Sequence, residues 1–148
     1  MYNSIEAIRA DLSAAGVTVV DCPLCENSCL SLADGALVAV DTSRFETQAG
    51  EVTALIHEEG HFVSGAFYTP YSPYQLRAQA EYRADKAAVL KHIPLDDLAE
   101  EMRCGFSLWE IAEHFNVEPS FVWRAYTIYR DNMGVDFQTC KMQEGDGG

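Results

Sequence analysis

No stretch of this sequence approaches the roughly twenty consecutive apolar residues that span a bilayer, although 48% of its 148 residues are hydrophobic. Its start lacks the basic-then-apolar order of a secretory leader. Residues 1–15 instead set Ile5, Ile8 and Leu12 on one face of an amphipathic helix. The expectation is a cytoplasmic protein that touches no membrane. Positive charge is also scarce: ten Lys and Arg face twenty-three Asp and Glu, a net charge of −13. Such a field repels phosphate backbones, so nucleic-acid binding by this chain alone is not expected, whereas a basic protein partner is favoured. Internal repeats, low-complexity tracts and a separate linker are missing too. One domain over residues 1–142 is therefore expected, with an acidic, glycine-rich tail at 143–148 expected to be disordered.

Cysteine is present without a metal-binding complement. Cys22, Cys25 and Cys29 form C-x-x-C-x-x-x-C, while Cys104 and Cys140 stand apart. Closely spaced thiolates are good soft-metal ligands, but a closed zinc site needs a fourth ligand and none stands nearby. In a small cytoplasmic protein, free thiols are the expectation.

The most informative residues are His57-Glu58-Glu59-Gly60-His61, the pattern H-E-x-x-H. Val52, Leu55, Ile56, Phe62 and Val63 recur around them at helical spacing, with Glu51 and Thr53 near the start. On a helix, residues four apart lie on one face about one turn apart, so His57 and His61 can share a metal. Glu58 projects beside them, where a carboxylate can take a proton from an activated water. The plainer alternative is a pair of surface histidines on an amphipathic helix. Gly60 costs the helix about 1 kcal/mol relative to alanine and suggests close approach of another backbone or of a substrate.

A catalytic zinc site usually has a third protein ligand and an open position for water. The next helical stretch, residues 75–92, carries Glu81, twenty positions after His61, and Asp85 one turn further. Glu81 can reach the metal while Asp85 accepts the outer N–H of a ligating histidine, or Asp85 can take the ligand position itself. Two histidines and a carboxylate also suit non-haem iron. The tyrosine- and proline-rich run 67–74 reads as a loop between the two helices and one wall of a cleft. Tyr68, Tyr71, Tyr74 and His92 are each candidates to stabilise an oxyanion.

His57-Glu58-Glu59-Gly60-His61, followed by Glu81-Tyr82-Arg83-Ala84-Asp85 and closing at Pro94, resembles the ImmA/IrrE metallopeptidases, whose pattern is H-E-x-x-H, then E-x-x-A-N/D, then a helix-ending proline. Ser64-Gly65-Ala66-Phe67-Tyr68 and Tyr71-Ser72-Pro73 are similar to short, phage- or prophage-associated members. The resemblance runs over residues 17–129 and is strongest at 55–94. It implies Zn2+ held by His57, His61 and Glu81, Glu58 as general base, and cleavage of a repressor with a helix-turn-helix DNA-binding domain. The implied fold is an α+β, zincin-like domain with a short antiparallel or mixed sheet packed on the H-E-x-x-H helix. The sequence accommodates that sheet: residues 17–20 are β-branched, and 29–33 and 36–40 flank Asp34-Gly35, a hairpin turn. In the zincin class a sheet edge commonly holds extended substrate by strand addition.

After residues 1–94, the expected catalytic core, a helical cap over 95–130 is expected, with helices near 95–104, 107–115 and 119–129. Ser107 and Glu110 form a capping box, and Asn116-Val117 falls at a turn, so the last two helices look like a helix-turn-helix. DNA binding is one reading; a cap packing its aromatic residues on the core is the other, and the chain's acidity favours the cap. Two function classes follow: a zinc endopeptidase acting on a regulatory protein, or a non-enzymatic regulator, either a pseudo-peptidase or a DNA-binding module.

Overall fold

Six α-helices and a three-stranded mixed sheet build the α+β chain in the computed structural model, which describes residues 2–32, 36–69 and 71–137. The Asp34-Gly35 turn, Cys140 and the 143–148 tail lie outside the described residues. Helix α1 (Ile5–Ala14) begins where the Ser4 side chain accepts the Ala7 N–H at 3.1 Å, and it buries Ile8 and Leu12. Strands β1 (Thr18–Asp21), β2 (Cys29–Leu32) and β3 (Leu37–Val40) follow. Their order is β1-β3-β2, with β3 parallel to β1 and antiparallel to β2. The central strand buries Val38, Ala39 and Val40. Strand β2, at an edge, alternates, with Cys29 and Ser31 turned inward and Leu30 and Leu32 outward.

Helix α2 (Gln48–Ser64) starts five residues before the expected Thr53, because Thr47 caps it by accepting the Gly50 N–H at 3.0 Å. Thr53 instead accepts the Glu118 N–H at 2.9 Å, tying α2 to the C-terminal helices. Val52, Leu55 and Ile56 are fully buried, whereas Val63, expected in the same stripe, is exposed. Helix α3 (Tyr74–His92) presents Ala80, Ala84 and Ala88 to the interior at i, i+4, i+8. Small side chains there let the two helix axes approach. Gly60 completes the contact: a Cβ on it would lie 2.9 Å from the Ala84 carbonyl carbon and 3.2 Å from its Cα. This is the reason for the glycine, and what approaches it is a backbone of the same chain.

Helices α4 (Leu95–Arg103), α5 (Leu108–Phe115) and α6 (Pro119–Thr127) close the fold. The capping box at Ser107 and Glu110 is present, and Asn116 ends α5 in the left-handed conformation. Past Thr127 the backbone widens into a π turn, Ile128–Asn132, rather than continuing as α-helix to 129. The turn buries Ile128 and Tyr129, whose hydroxyl donates to the Ile93 carbonyl at 2.7 Å. Phe115, Phe121 and Tyr129 join one buried cluster that runs from Ile8 to Phe137, while Trp109 and Trp123 stay exposed.

A buried polar knot pins α1, α2 and α3 together behind the sheet. His92 sits between Glu59 Oε1, 2.7 Å from its Nε2, and Asn3 Oδ1, 3.1 Å from its Nδ1. Lys91 Nζ reaches the same Glu59 oxygen at 3.0 Å. Burial works against the Glu59 charge, but His92 and Lys91 outweigh it and hold the carboxyl below its ordinary value of 4.5. A carboxylate depressed in the folded state contributes stability above its unfolded pKa and loses it as pH falls through the folded one. The difference in urea midpoint between the native protein and Glu59→Gln is therefore expected to be level above about pH 4.5 and to shrink below it. Parallel pH curves for the two proteins would show that the knot carries no such linkage.

Candidate metal centre

Four positions separate His57 from His61 on α2, and their rings meet edge to face with centroids 4.9 Å apart. Glu81, on α3, closes the set from across the helix pair: its Oε2 lies 2.6 Å from His57 Nε2 and its Oε1 3.5 Å from His61 Nε2. One donor atom from each of the three side chains falls within 4.8 Å of the others. Zinc bonds of about 2.0–2.1 Å set neighbouring ligand atoms roughly 3.3 Å apart, so small torsional shifts would bring all three donors to an ion. Two imidazoles and a carboxylate are a suitable donor set for it.

The outer nitrogen of each histidine is also engaged. His57 Nδ1 lies 2.8 Å from Asp85 Oδ1, and His61 Nδ1 lies 2.6 Å from the Ala66 carbonyl oxygen. Acceptors at both Nδ1 atoms leave Nε2, the nitrogen facing Glu81, as the one that would bind a metal, an arrangement common to metal-ligating histidines. Local sequence explains the second anchor. Gly65 ends α2 at φ 68°, a left-handed conformation that suits glycine, and turns the chain so that Ala66 folds back under His61. Burial disfavours a charged His57, but the hydrogen bond and charge of Asp85, with Glu81 and Glu58 beyond, outweigh it and push His57 up to about 9. An entering metal must displace that proton.

Asp85 thus sits behind His57 and outside the three-residue donor cluster. It is held in turn by Arg124 of α6, whose Nε donates to Asp85 Oδ2 at 3.2 Å while its guanidinium lies over the Tyr82 ring. Arg124 therefore braces His57 through Asp85.

Glu58 lines a cavity with His61 and Glu81 and accepts a hydrogen bond from the Ser31 hydroxyl on β2. Cys29 is on the same inward face. Burial first, and then the charge of Glu58, push its thiol up to about 12, so it stays neutral near pH 7. Cys22, Cys25, Cys29 and Cys104 are free thiols, and His57, His61 and Glu81 are the one metal-capable cluster among the described residues. Glu58 and Cys29 border cavities on both sides. One, of about 600 Å³, extends towards Asn27, Phe67, Tyr68 and Arg77. The other, of about 430 Å³, extends towards Phe45, Thr53, Glu118 and Phe121. His61 and Glu81 line the first and His57 the second, so the cluster borders both.

Of the four candidate oxyanion donors, only Tyr68 is at the centre. Its hydroxyl donates to Glu81 Oε1 at 2.5 Å. That bond, with burial and the Glu81 and Glu58 charges, raises Tyr68 to about 12 and keeps it protonated. Tyr71 is 95% exposed and Tyr74 77% exposed. His92 belongs to the Glu59 knot, not to the cleft, because position 92 falls on the far turn of α3. Sequence reasoning missed Ser31, Ala66, Arg77 and Arg124. The alternation of β2 was the available signal for Ser31, and an arginine on a helix of so acidic a chain was the signal for Arg77 and Arg124. No family model matches the chain, and no curated protein matches it. Among the described residues no helix is long and apolar enough to cross a membrane.

Proposed function

We propose that this protein is a zinc-dependent endopeptidase of the zincin type, cutting a peptide bond in a regulatory protein, specifically a helix-turn-helix repressor of the phage or mobile-element kind. The observation that carries the reading is the convergence of His57, His61 and Glu81, with both histidines anchored at Nδ1 and the Glu58 carboxylate, outside that donor set, lining the adjoining cavity. Zinc bound there would supply Lewis acidity to a water and to a peptide carbonyl. Glu58 takes the water proton as general base and returns it to the leaving amine. Ser31 fixes the rotamer of Glu58. Tyr68, protonated and within reach of the same carboxylate edge, swings to donate to the developing oxyanion.

Strand β2 borders that cavity, and extended substrate pairs along the strand. The resemblance to the ImmA/IrrE metallopeptidases supports the repressor as substrate, and the net charge of −13 suits a basic DNA-binding partner. The C-terminal helices serve as a brace rather than a DNA reader, since Arg124 is committed to Asp85.

The test is metal analysis joined to cleavage. The purified chain is expected to hold about one zinc, and chelation is expected to abolish cleavage, with zinc restoring it. His57→Ala and His61→Ala should each lose the metal, and Asp85→Asn should weaken zinc about 10–100-fold. Full zinc content in both histidine variants would move the metal, and with it the peptidase reading, away from this cluster.

A further inference from the structure

The larger cavity beside the cluster is walled by three carboxylates, Glu26, Glu58 and Glu81, and by one cation, Arg77. Of the described arginines and lysines, Arg9, Arg44, Lys91, Arg103, Arg124 and Arg130 each meet a carboxylate, while Arg83 and Lys86 are in no ion pair. Arg77 meets none among the described residues, and its Nε is buried without a hydrogen-bond partner. That nitrogen is closed to solvent, so a carboxylate entering the cavity would meet the guanidinium at its other nitrogens. The neighbouring acids do not serve: Glu81 is turned to His57, His61 and Tyr68, and Glu58 to Ser31. Arg77 also lies in the first turn of α3, whose positive end carries no acidic residue.

We propose that Arg77 is a specificity-determining residue that binds a carboxylate of the substrate on the Tyr68 side of the cluster. A guanidinium fork matches a carboxylate in two parallel hydrogen bonds, and within a peptide groove that group is an Asp or Glu side chain or a chain end. Arg77 is one turn before Glu81, about 6 Å along the helix axis. An extended chain advances about 3.3 Å per residue, so the recognised acid lies one or two residues from the cut bond. The protein, acidic overall, therefore selects a local acid within a basic partner. This inference rests on the peptidase reading for its substrate but not for its binding chemistry.

Two measurements test it. The zinc-loaded full chain is given quenched fluorescent peptides that differ only by Glu, Gln or Lys at each of the positions flanking the cut. At one position Glu is expected to be cut about 10–100-fold faster than Gln in kcat/KM. Arg77→Gln should collapse that ratio to about 1, Arg77→Lys should retain part of it, and Arg77→Glu should turn the preference to Lys. A ratio that survives Arg77→Gln, a fall in kcat shared by all peptides, or a native enzyme that prefers neither Glu over Gln nor a free C-terminus over its amide would each overturn the assignment.

The second measurement needs neither metal nor turnover. The Arg77 Nε–H resonance is followed while the protein is titrated with N-acetylglutamate amide, N-acetylglutamine and N-acetylglutamine amide. A shift with the first marks a side-chain carboxylate, a shift with the second a chain end, and an equal response to all three, or none, overturns the proposal. If no peptide is cut and the resonance still answers to carboxylates alone, the binding site stands and the peptidase reading falls.

Discussion

Glu58→Gln is expected to leave the zinc content unchanged and to lower peptide hydrolysis about 10²–10⁴-fold, the usual contribution of a positioned general base. At 1.36 kcal/mol per decade that is about 3–5 kcal/mol of barrier. The substitution preserves shape and one carbonyl-type oxygen, so the Ser31 hydroxyl still has an acceptor. It removes only the capacity to hold a proton. Because the donor cluster comprises His57, His61 and Glu81, metal binding has no need of Glu58. A protein that merely grips its partner would show the same partner affinity with glutamine or glutamate here, and no turnover in either case. Native-like cleavage by the variant would remove Glu58 from the mechanism. Loss of zinc would instead make it a structural neighbour of the cluster, and the base would have to be sought elsewhere.

The parts of this site that were legible in the sequence are those governed by local periodicity. His57 and His61 share a face because four residues make about one turn, and Asp85 follows Glu81 for the same reason. That Glu81 comes from a second helix was legible as a possibility, since two helices joined by a short loop pack antiparallel. Which carboxylate would face inward was not, because it depends on the rotation of α3, set by the Ala80, Ala84 and Ala88 stripe against α2. Contacts between distant segments were hidden altogether. Ser31 meets Glu58 across 27 positions and Arg124 meets Asp85 across 39. A strand at 29–33 was legible, but not that β2 would be an edge or that Ser31 would face Glu58. His92 misled for a simpler reason: it is the last residue of α3, at the end away from the loop at 67–74, and its ring is held there by Glu59 and Asn3.

Gly60 gives the second large effect, with a sign contrary to propensity. Replacing a mid-helix glycine by alanine ordinarily gains about 1 kcal/mol. Here the added methyl would meet the Ala84 carbonyl group, its carbon at 2.9 Å and the Cα at 3.2 Å. A side-chain neighbour could swing away; a helix backbone can yield only if α3 moves. Overpacking of this kind costs about 1–3 kcal/mol. With the propensity gain subtracted, Gly60→Ala is expected to melt several degrees lower, at about 2–4 °C per kcal/mol for a chain of this order. The displacement matters more for the site than for stability. Ala84 is one turn beyond Glu81, so pushing α3 outward draws Glu81 from His57 and His61 and separates Asp85 from His57. Zinc affinity should therefore fall together with the melting temperature. The clash is with backbone atoms, so adding Ala84→Gly should not rescue either quantity. An alanine variant that is more stable and binds zinc as tightly would mean that the two helices do not meet as closely as the metal centre requires.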